Sequence, residues 1–229
     1  MDADRDPGAA PTGRRERKKR RTRDDLMRQA ARLFAANGFD ETTTEDIAEA
    51  ADLSQRTFFR HFSSKEAVLY GDMDELRIRV RNALMGRPAG EPPILAVRHA
   101  IMTLADNYEF ERDHRFLQAK LAAAYPSVSA YSRAVVQAEW EKELIAALSQ
   151  RLGVDSMLDP RPEIVAGAAM SALRVSIRRW TSSGGRENLL DLVGEAFDAL
   201  AQLSELAVPS EHIASEHIAS EHIASEHIA

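Results

Sequence analysis

The residues best equipped for chemistry lie in one short stretch, Ser54-Gln55-Arg56-Thr57-Phe58-Phe59-Arg60-His61. Arginine can clamp guanine and glutamine can clamp adenine through paired hydrogen bonds to base edges. Gln55 and Arg56 open the stretch, where a helix laid in a groove brings side chains closest to the bases. An outward Phe59 beside arginines suits thymine methyls or sugar edges better than open water. Thr43, Thr44, Ser54, Thr57, Arg60, His61 and Lys65 complete the candidate set, with Thr44, His61 and Lys65 assigned to phosphates.

Charge mapping supports the same chemistry. The net charge is −6, yet eight basic residues (Arg14, Arg15, Arg17, Lys18, Lys19, Arg20, Arg21, Arg23) stand against Glu16 alone between Arg14 and Arg23. Residues 71–229 hold 16 basic and 23 acidic residues, so the acidic body masks a basic end. Phosphate contact is local, and the run rather than the global sum sets the partner. Taken alone, the run reads either as a solvated tail or as extra phosphate and minor-groove contacts.

Catalytic chemistry finds no such concentration. Before residue 210 there is no serine nucleophile elbow, phosphate-binding glycine loop or zinc signature. No catalytic residue, cofactor or metal is therefore expected, and the chain reads as a non-enzyme. The end of the chain repeats Ser-Glu-His-Ile-Ala four times, carrying His212, His217, His222 and His227. A five-residue repeat advances ~140° per copy around a helix, so these histidines never share a face. Residues 209–229 are expected to be a disordered tail that neither binds metal nor joins a core. The chain has no cysteine, no apolar run of membrane length and no secretory signal, which fits a cytoplasmic protein with no membrane partner.

The elements that must position the candidate residues read as helices throughout. Leu26, Ala30, Leu33 and Phe34 fall on one helical face from Thr22 to Ala36, with Asn37-Gly38 as the stop. Thr44 is expected to cap a short second helix, and Ser54 a third that ends at His61. A fourth runs from Ser64-Lys65-Glu66 to about Leu84. Ile47, Ala48, Ala51, Leu53, Phe58 and Phe62 would pack inward with Leu33, Phe34 and Phe39. Two helices of about eight residues joined by a tight turn have the proportions of a helix-turn-helix.

Here the sequence resembles the TetR family of transcriptional regulators. The matching residues are Ala30-Ala31-x-Leu33-Phe34-x-x-x-Gly38-Phe39, then Thr43-Thr44-x-x-Ile47-Ala48, then Ala51-x-Leu53-Ser54-x-x-Thr57-Phe58-Phe59-Arg60-His61-Phe62-x-x-Lys65-Glu66. Two positions depart from the common pattern. Asp52 stands where the turn usually has glycine, and Phe59 where tyrosine is usual. The resemblance implies a homodimeric repressor of double-stranded operator DNA, released by a small, largely apolar effector.

The fold class is then all-α: an N-terminal helix-turn-helix three-helix domain and a C-terminal helical ligand-binding and dimerisation domain. The expected divisions are a disordered segment with a basic arm at 1–21, the DNA-binding domain at 22–70 with its last helix continuing to about 86, and the second domain at 87–208. Gly and Pro between Arg87 and Pro93 mark the joint, and helices are expected at 94–110, 113–124, 127–152, 162–182 and 186–206. The last two carry the stripes that the resemblance assigns to a four-helix dimer interface: Ala168, Ala172 and Val175, then Leu190, Val193, Phe197 and Leu200. Ile164 and Ser171 share the first of these helices. Met102, Tyr108, Phe116, Tyr131 and Trp140 are the candidates for lining an effector cavity. Arg174, Arg178 and Arg179, beside Trp180, suit an anionic ligand such as an acyl thioester, a solvated face, or an interface ion pair.

Overall fold

The computed structural model describes residues 11–103 and 112–203, and every regular element among them is helical. The head comprises α1 (Pro11–Asn37), α2 (Thr44–Ala50), α3 (Gln55–His61) and α4 (Lys65–Leu69). The body comprises α5 (Met73–Met85), α6 (Pro93–Met102), α7 (Arg112–Ala124), α8 (Pro126–Tyr131), α9 (Ala138–Leu152), α10 (Arg161–Ser182) and α11 (Leu189–Leu203). The all-α architecture of a helix-turn-helix head and a helical body is the one expected. Residues 1–10, Tyr108 and the histidine repeats lie outside the described residues.

Three boundaries differ from the sequence expectation. The first helix begins at Pro11, so the basic run is helical and continuous with α1 rather than a loose arm. Arg and Lys are good helix formers, proline is at home in a first turn, and only Gly13 weakens the segment. The expected fourth helix is two, broken at an elbow over Tyr70–Asp72. Gly71 is buried there, and a Cβ on it would meet Met27 Sδ at 2.6 Å and Phe62 Cε1 at 2.8 Å. The elbow must approach α1 and α3 that closely, and a straight helix with side chains could not. The expected helix over 127–152 is continuous but changes pitch, with a π-helical segment at Ser132–Gln137 between α8 and α9.

Two apolar clusters hold the fold. In the head, Leu26, Ala30 and Phe34 of α1 close on Phe39, Ile47, Ala48, Phe58 and Phe62. That cluster also takes in Leu121 of α7 and Val128 of α8, so the body completes the head's core. The second cluster packs Leu76, Val80, Val97, Leu144, Leu148, Trp140 and Trp180 with Leu192, Val193 and Phe197. Helix α7 belongs to both. Its Phe116 meets Trp180 edge-on at 5.4 Å, while Tyr125, just past its end, lies 5.3 Å from Phe39 in the head.

Polar side chains fasten α7 to the elbow. Buried Arg115 donates to both carboxylate oxygens of Asp72 and to Gln118 Oε1, and Gln118 in turn donates to the Leu69 carbonyl. Arg112, one turn earlier, donates to the Gly185 carbonyl after α10. The C-terminal end of α10 therefore sits beside the elbow, and its N-terminal end points away from the head.

This packing places three of the expected interface residues inside their own subunit. Val193 and Phe197 retain 2% and 3% of their surface, and Ala172 5%, all spent inside their own subunit. On α11, Leu189, Leu192, Val193 and Phe197 merge into one wide inward face rather than two stripes. Leu190, Leu200 and Ala168 are half-buried, and Val175 is exposed.

Candidate nucleic-acid interface

The recognition surface is built from caps and turns. Thr43, not Thr44, caps α2: its hydroxyl accepts the Asp46 N–H while Asp46 accepts the Thr43 N–H at 2.8 Å. A capping box needs its acid three residues after the cap, and Asp46 stands three after Thr43. These bonds hold the Asp46 carboxyl below its ordinary pKa. Thr44 is thereby released, and its hydroxyl accepts from Gln55 Nε2 at 3.2 Å, tying the first residue of α3 to the first of α2. Between them Asp52 turns the chain with φ of +55°, the left-handed conformation that its position demands. Ser54 then caps α3, accepting the Thr57 N–H at 3.2 Å.

Side-chain direction on α3 follows from Phe58 and Phe62, both buried beneath it. Gln55, Arg56, Phe59 and Arg60 face solvent, and Thr57 is half-buried. Phe59 leaves 52% of its surface exposed, held edge-on by Phe58 at 5.5 Å. A large apolar ring standing among arginines is costly in water and suits a groove floor.

Two of the expected phosphate ligands sit differently. The Lys65 ammonium turns inward, donating to the Phe39 carbonyl at 2.8 Å and lying 4.3 Å from the Phe39 ring. It fastens the α1–α2 loop, because carbonyls at the end of a helix need a donor and a cation meets an aromatic face favourably. His61 is half-buried, its Nδ1 has no partner among the described residues, and burial pushes its pKa down, helped by Arg60, Arg23 and Lys19. Its surroundings disfavour the protonated ring at the helix end.

Arg23 is the residue that pattern reading missed. Its guanidinium donates to the His61 carbonyl and the Gly71 carbonyl, each at 2.9 Å, and covers the Phe62 ring. It joins α1, the end of α3 and the elbow. Nothing in local periodicity distinguishes it from its basic neighbours. With Lys19 in electrostatic reach of His61, the basic half of α1 runs beside the C-terminal end of α3. Arg20 pairs with Glu75 of α5 at 3.2 Å, and Arg14, Arg15, Arg17, Lys18 and Arg21 face solvent.

The effector candidates divide. Met102, Phe116 and Trp140 share the body cluster, whereas Tyr131 stacks on Tyr70 at 5.9 Å and packs against the head cluster. An open groove of about 1290 Å³ lies between α1, α5 and α7, lined by charged residues including Arg20, Asp24, Glu75, Arg79 and Arg112. None of the four lines it, and its charge does not suit an apolar ligand. Of the three arginines, Arg179 pairs with Glu195 at 2.8 Å, and Trp180 is buried away from Arg174 and Arg178.

A family model for bacterial regulatory proteins of the tetR family matches residues 26–70, and one for the MftR C-terminal domain matches residues 91–204. The chain belongs to the TetR family. The TetR-type head is the segment built around α2 and α3, and members of the family are DNA-binding transcription regulators, not enzymes. Among relatives, the HTH-type transcriptional regulator TcmR of Streptomyces glaucescens is 38% identical over 73% of this chain and 76% of its own length. The putative mycofactocin biosynthesis transcriptional regulator MftR of Mycobacterium tuberculosis is 28% identical over 75% of this chain and 85% of its own. The TetR-family repressor FadR of Thermus thermophilus, solved with lauroyl-CoA, is 27% identical with a TM-score of 0.52, covering 82% of this chain and 96% of that one. Among the described residues no helix is long and apolar enough to cross a membrane.

Proposed function

We propose that this TetR-family regulator is a homodimeric repressor that binds a palindromic operator through α3 and leaves it when a small, largely apolar effector enters the body. The observation that carries the reading is the outward row Gln55, Arg56, Phe59 and Arg60 over the buried pair Phe58 and Phe62. In this reading Arg56 and Gln55 take base edges, Phe59 takes thymine methyls or sugars, and Thr43, Thr44, Ser54, Thr57 and Arg60 line the groove walls. Lys65 and His61 act by shaping the head. Two such helices ~34–36 Å apart read one half-site each, which calls for a two-fold pair. The face offered for that pair is the outer stripe of α10, Ile164, Ala168, Ser171 and Val175, flanked by Leu190 and Leu200 of α11.

The effector is assigned to the body cluster around Met102, Phe116 and Trp140, with Tyr108 as a further candidate. Support comes from α7, which touches that cluster through Phe116 and the head through Leu121, so a displacement at one end reaches the other. The lauroyl-CoA held by the Thermus regulator supports an acyl chain as the effector type. Selection of bound sites from random duplex tests the reading, followed by release with lauroyl-CoA as the first probe. Arg56→Ala is expected to weaken the selected site by about 1–3 kcal/mol and to relax its preference at one position per half-site. No enriched site, or unchanged selectivity in the variant, overturns it.

A further inference from the structure

We propose that the turn between α9 and α10 is a clasp, its Met157 and Leu158 side chains anchoring a second copy of this chain at the end of the body far from DNA. The proposal rests on the dimer reading above and adds to it a contact outside the helical stripe.

Met157 and Leu158 are 88% and 86% exposed, and Ile164, in the first turns of α10, is 65% exposed. Two large neighbouring apolar side chains standing wholly in water are unusual on a monomer's surface. The turn that holds them is tightly built. Gly153 adopts φ of +65° to end α9, and Asp155 Oδ1 accepts the Met157 N–H at 2.9 Å. The Asp155 carbonyl then receives the N–H groups of Leu158 and Asp159 at 3.0 and 2.9 Å. Asp159 accepts the backbone N–H and guanidinium of Arg161, and Pro160 and Pro162 stiffen the entry to α10. Anchors fixed before contact lose little freedom on binding, which is how a few side chains dominate an interface. Three residues from Leu158 to Arg161 span at most ~11 Å, so the anchors stand near the start of the α10 stripe.

Charge identifies the occupant as a second copy. Arg174 and Arg178 face outward on α10 with no ion pair among the described residues, and Asp191 is likewise unpaired on the outer face of α11. Within the subunit, Ser176 bonds the Leu192 carbonyl and Arg179 bonds Glu195, so α10 and α11 pack side by side and share one outer face. Two heads on one face of a duplex require a two-fold axis running from the heads to the far end of the bodies, which keeps equal residues of both subunits level. The shared outer face carries the bases Arg174 and Arg178 and the acid Asp191, which a two-fold copy can pair with one another. Acid meets base along the stripe, and the clasp arrives at the far end of the partner's α10–α11 pair.

The chain has no cysteine and the anchors take no part in the subunit's own cores, so the test variants should fold normally. Sedimentation equilibrium would compare the unaltered protein, Met157→Ser with Leu158→Ser, and Ala168→Glu with Val175→Glu, each checked by far-ultraviolet circular dichroism. Expected are a tight dimer, a dimer weakened at least about a hundredfold, and a monomer, since each missing apolar anchor is worth roughly a tenfold change or more. Met157 should also resist dilute peroxide in the dimer and oxidise readily in the stripe variant. A clasp variant that dimerises within about threefold of the unaltered protein, beside a monomeric stripe variant, overturns the clasp and leaves the dimer standing. An unaltered protein that is monomeric at all concentrations removes both.

Discussion

Replacing Arg115 by methionine probes the joint between body and head. The guanidinium retains 3% of its surface and holds Asp72, while Asp72 retains about a fifth. Removing one partner of a fully buried pair costs about 3–5 kcal/mol, because the other charge is left without compensation. Water reaches part of Asp72, and methionine refills the stem volume, which brings the expected loss to about 2–4 kcal/mol. The double variant Arg115→Met with Asp72→Leu should recover most of it, since an apolar pair replaces the ions at little net cost. Urea unfolding at fixed protein concentration measures both, provided the slope stays constant. The single variant loses the ion pair that fastens α7 to the elbow and keeps the Gln118 bond, so effector release of operator should also weaken. A loss below about 1 kcal/mol for Arg115→Met, or strictly additive losses in the double variant, would contradict this account of the joint.

Gly71→Ala should destabilise by about 1–3 kcal/mol, read by thermal unfolding, because its methyl would press on Met27 and Phe62. Burial lowers the His61 pKa in the folded protein, so the unfolded chain takes up the proton first. Stability should therefore fall as pH drops through about 6.5, and His61→Gln should flatten that part of the melting-temperature profile. Neutralising Arg14, Arg15, Arg17, Lys18 and Arg21 with glutamine keeps the helix and removes exposed charge. If the basic half of α1 reaches phosphates, the slope of log affinity against log salt should shrink by about 0.9 for each phosphate no longer neutralised; an unchanged slope means that this half of α1 does not touch DNA.

The head was legible in the sequence because its information is local. Ser54 as cap, Gly38 as stop, Asp52 as turn residue and Phe58 beneath Phe59 are all set by neighbours within a few positions. Thr43 and Thr44 were transposed as caps because adjacent threonines look alike until the position of Asp46 is weighed. Lys65 looked like a phosphate ligand for want of a view of Phe39, 26 residues away. The body was less legible for the same reason. Val193 and Phe197 fit an outward stripe on a helical wheel, yet α6 and α10 approach from that side and bury them. Tyr131 looked like its aromatic neighbours in the body, and only the fold of α8 onto the elbow assigns it to the head.

The head borrows Leu121 and Val128 from α7 and α8 to close its interior. A fragment ending near Leu69 would expose the floor beneath Phe39 and Phe58, so it should fray in isolation. Grafting this reader onto a foreign sensor would then require transplanting α7 and α8 along with it: specificity for sequence and the seat that receives it are one inherited unit.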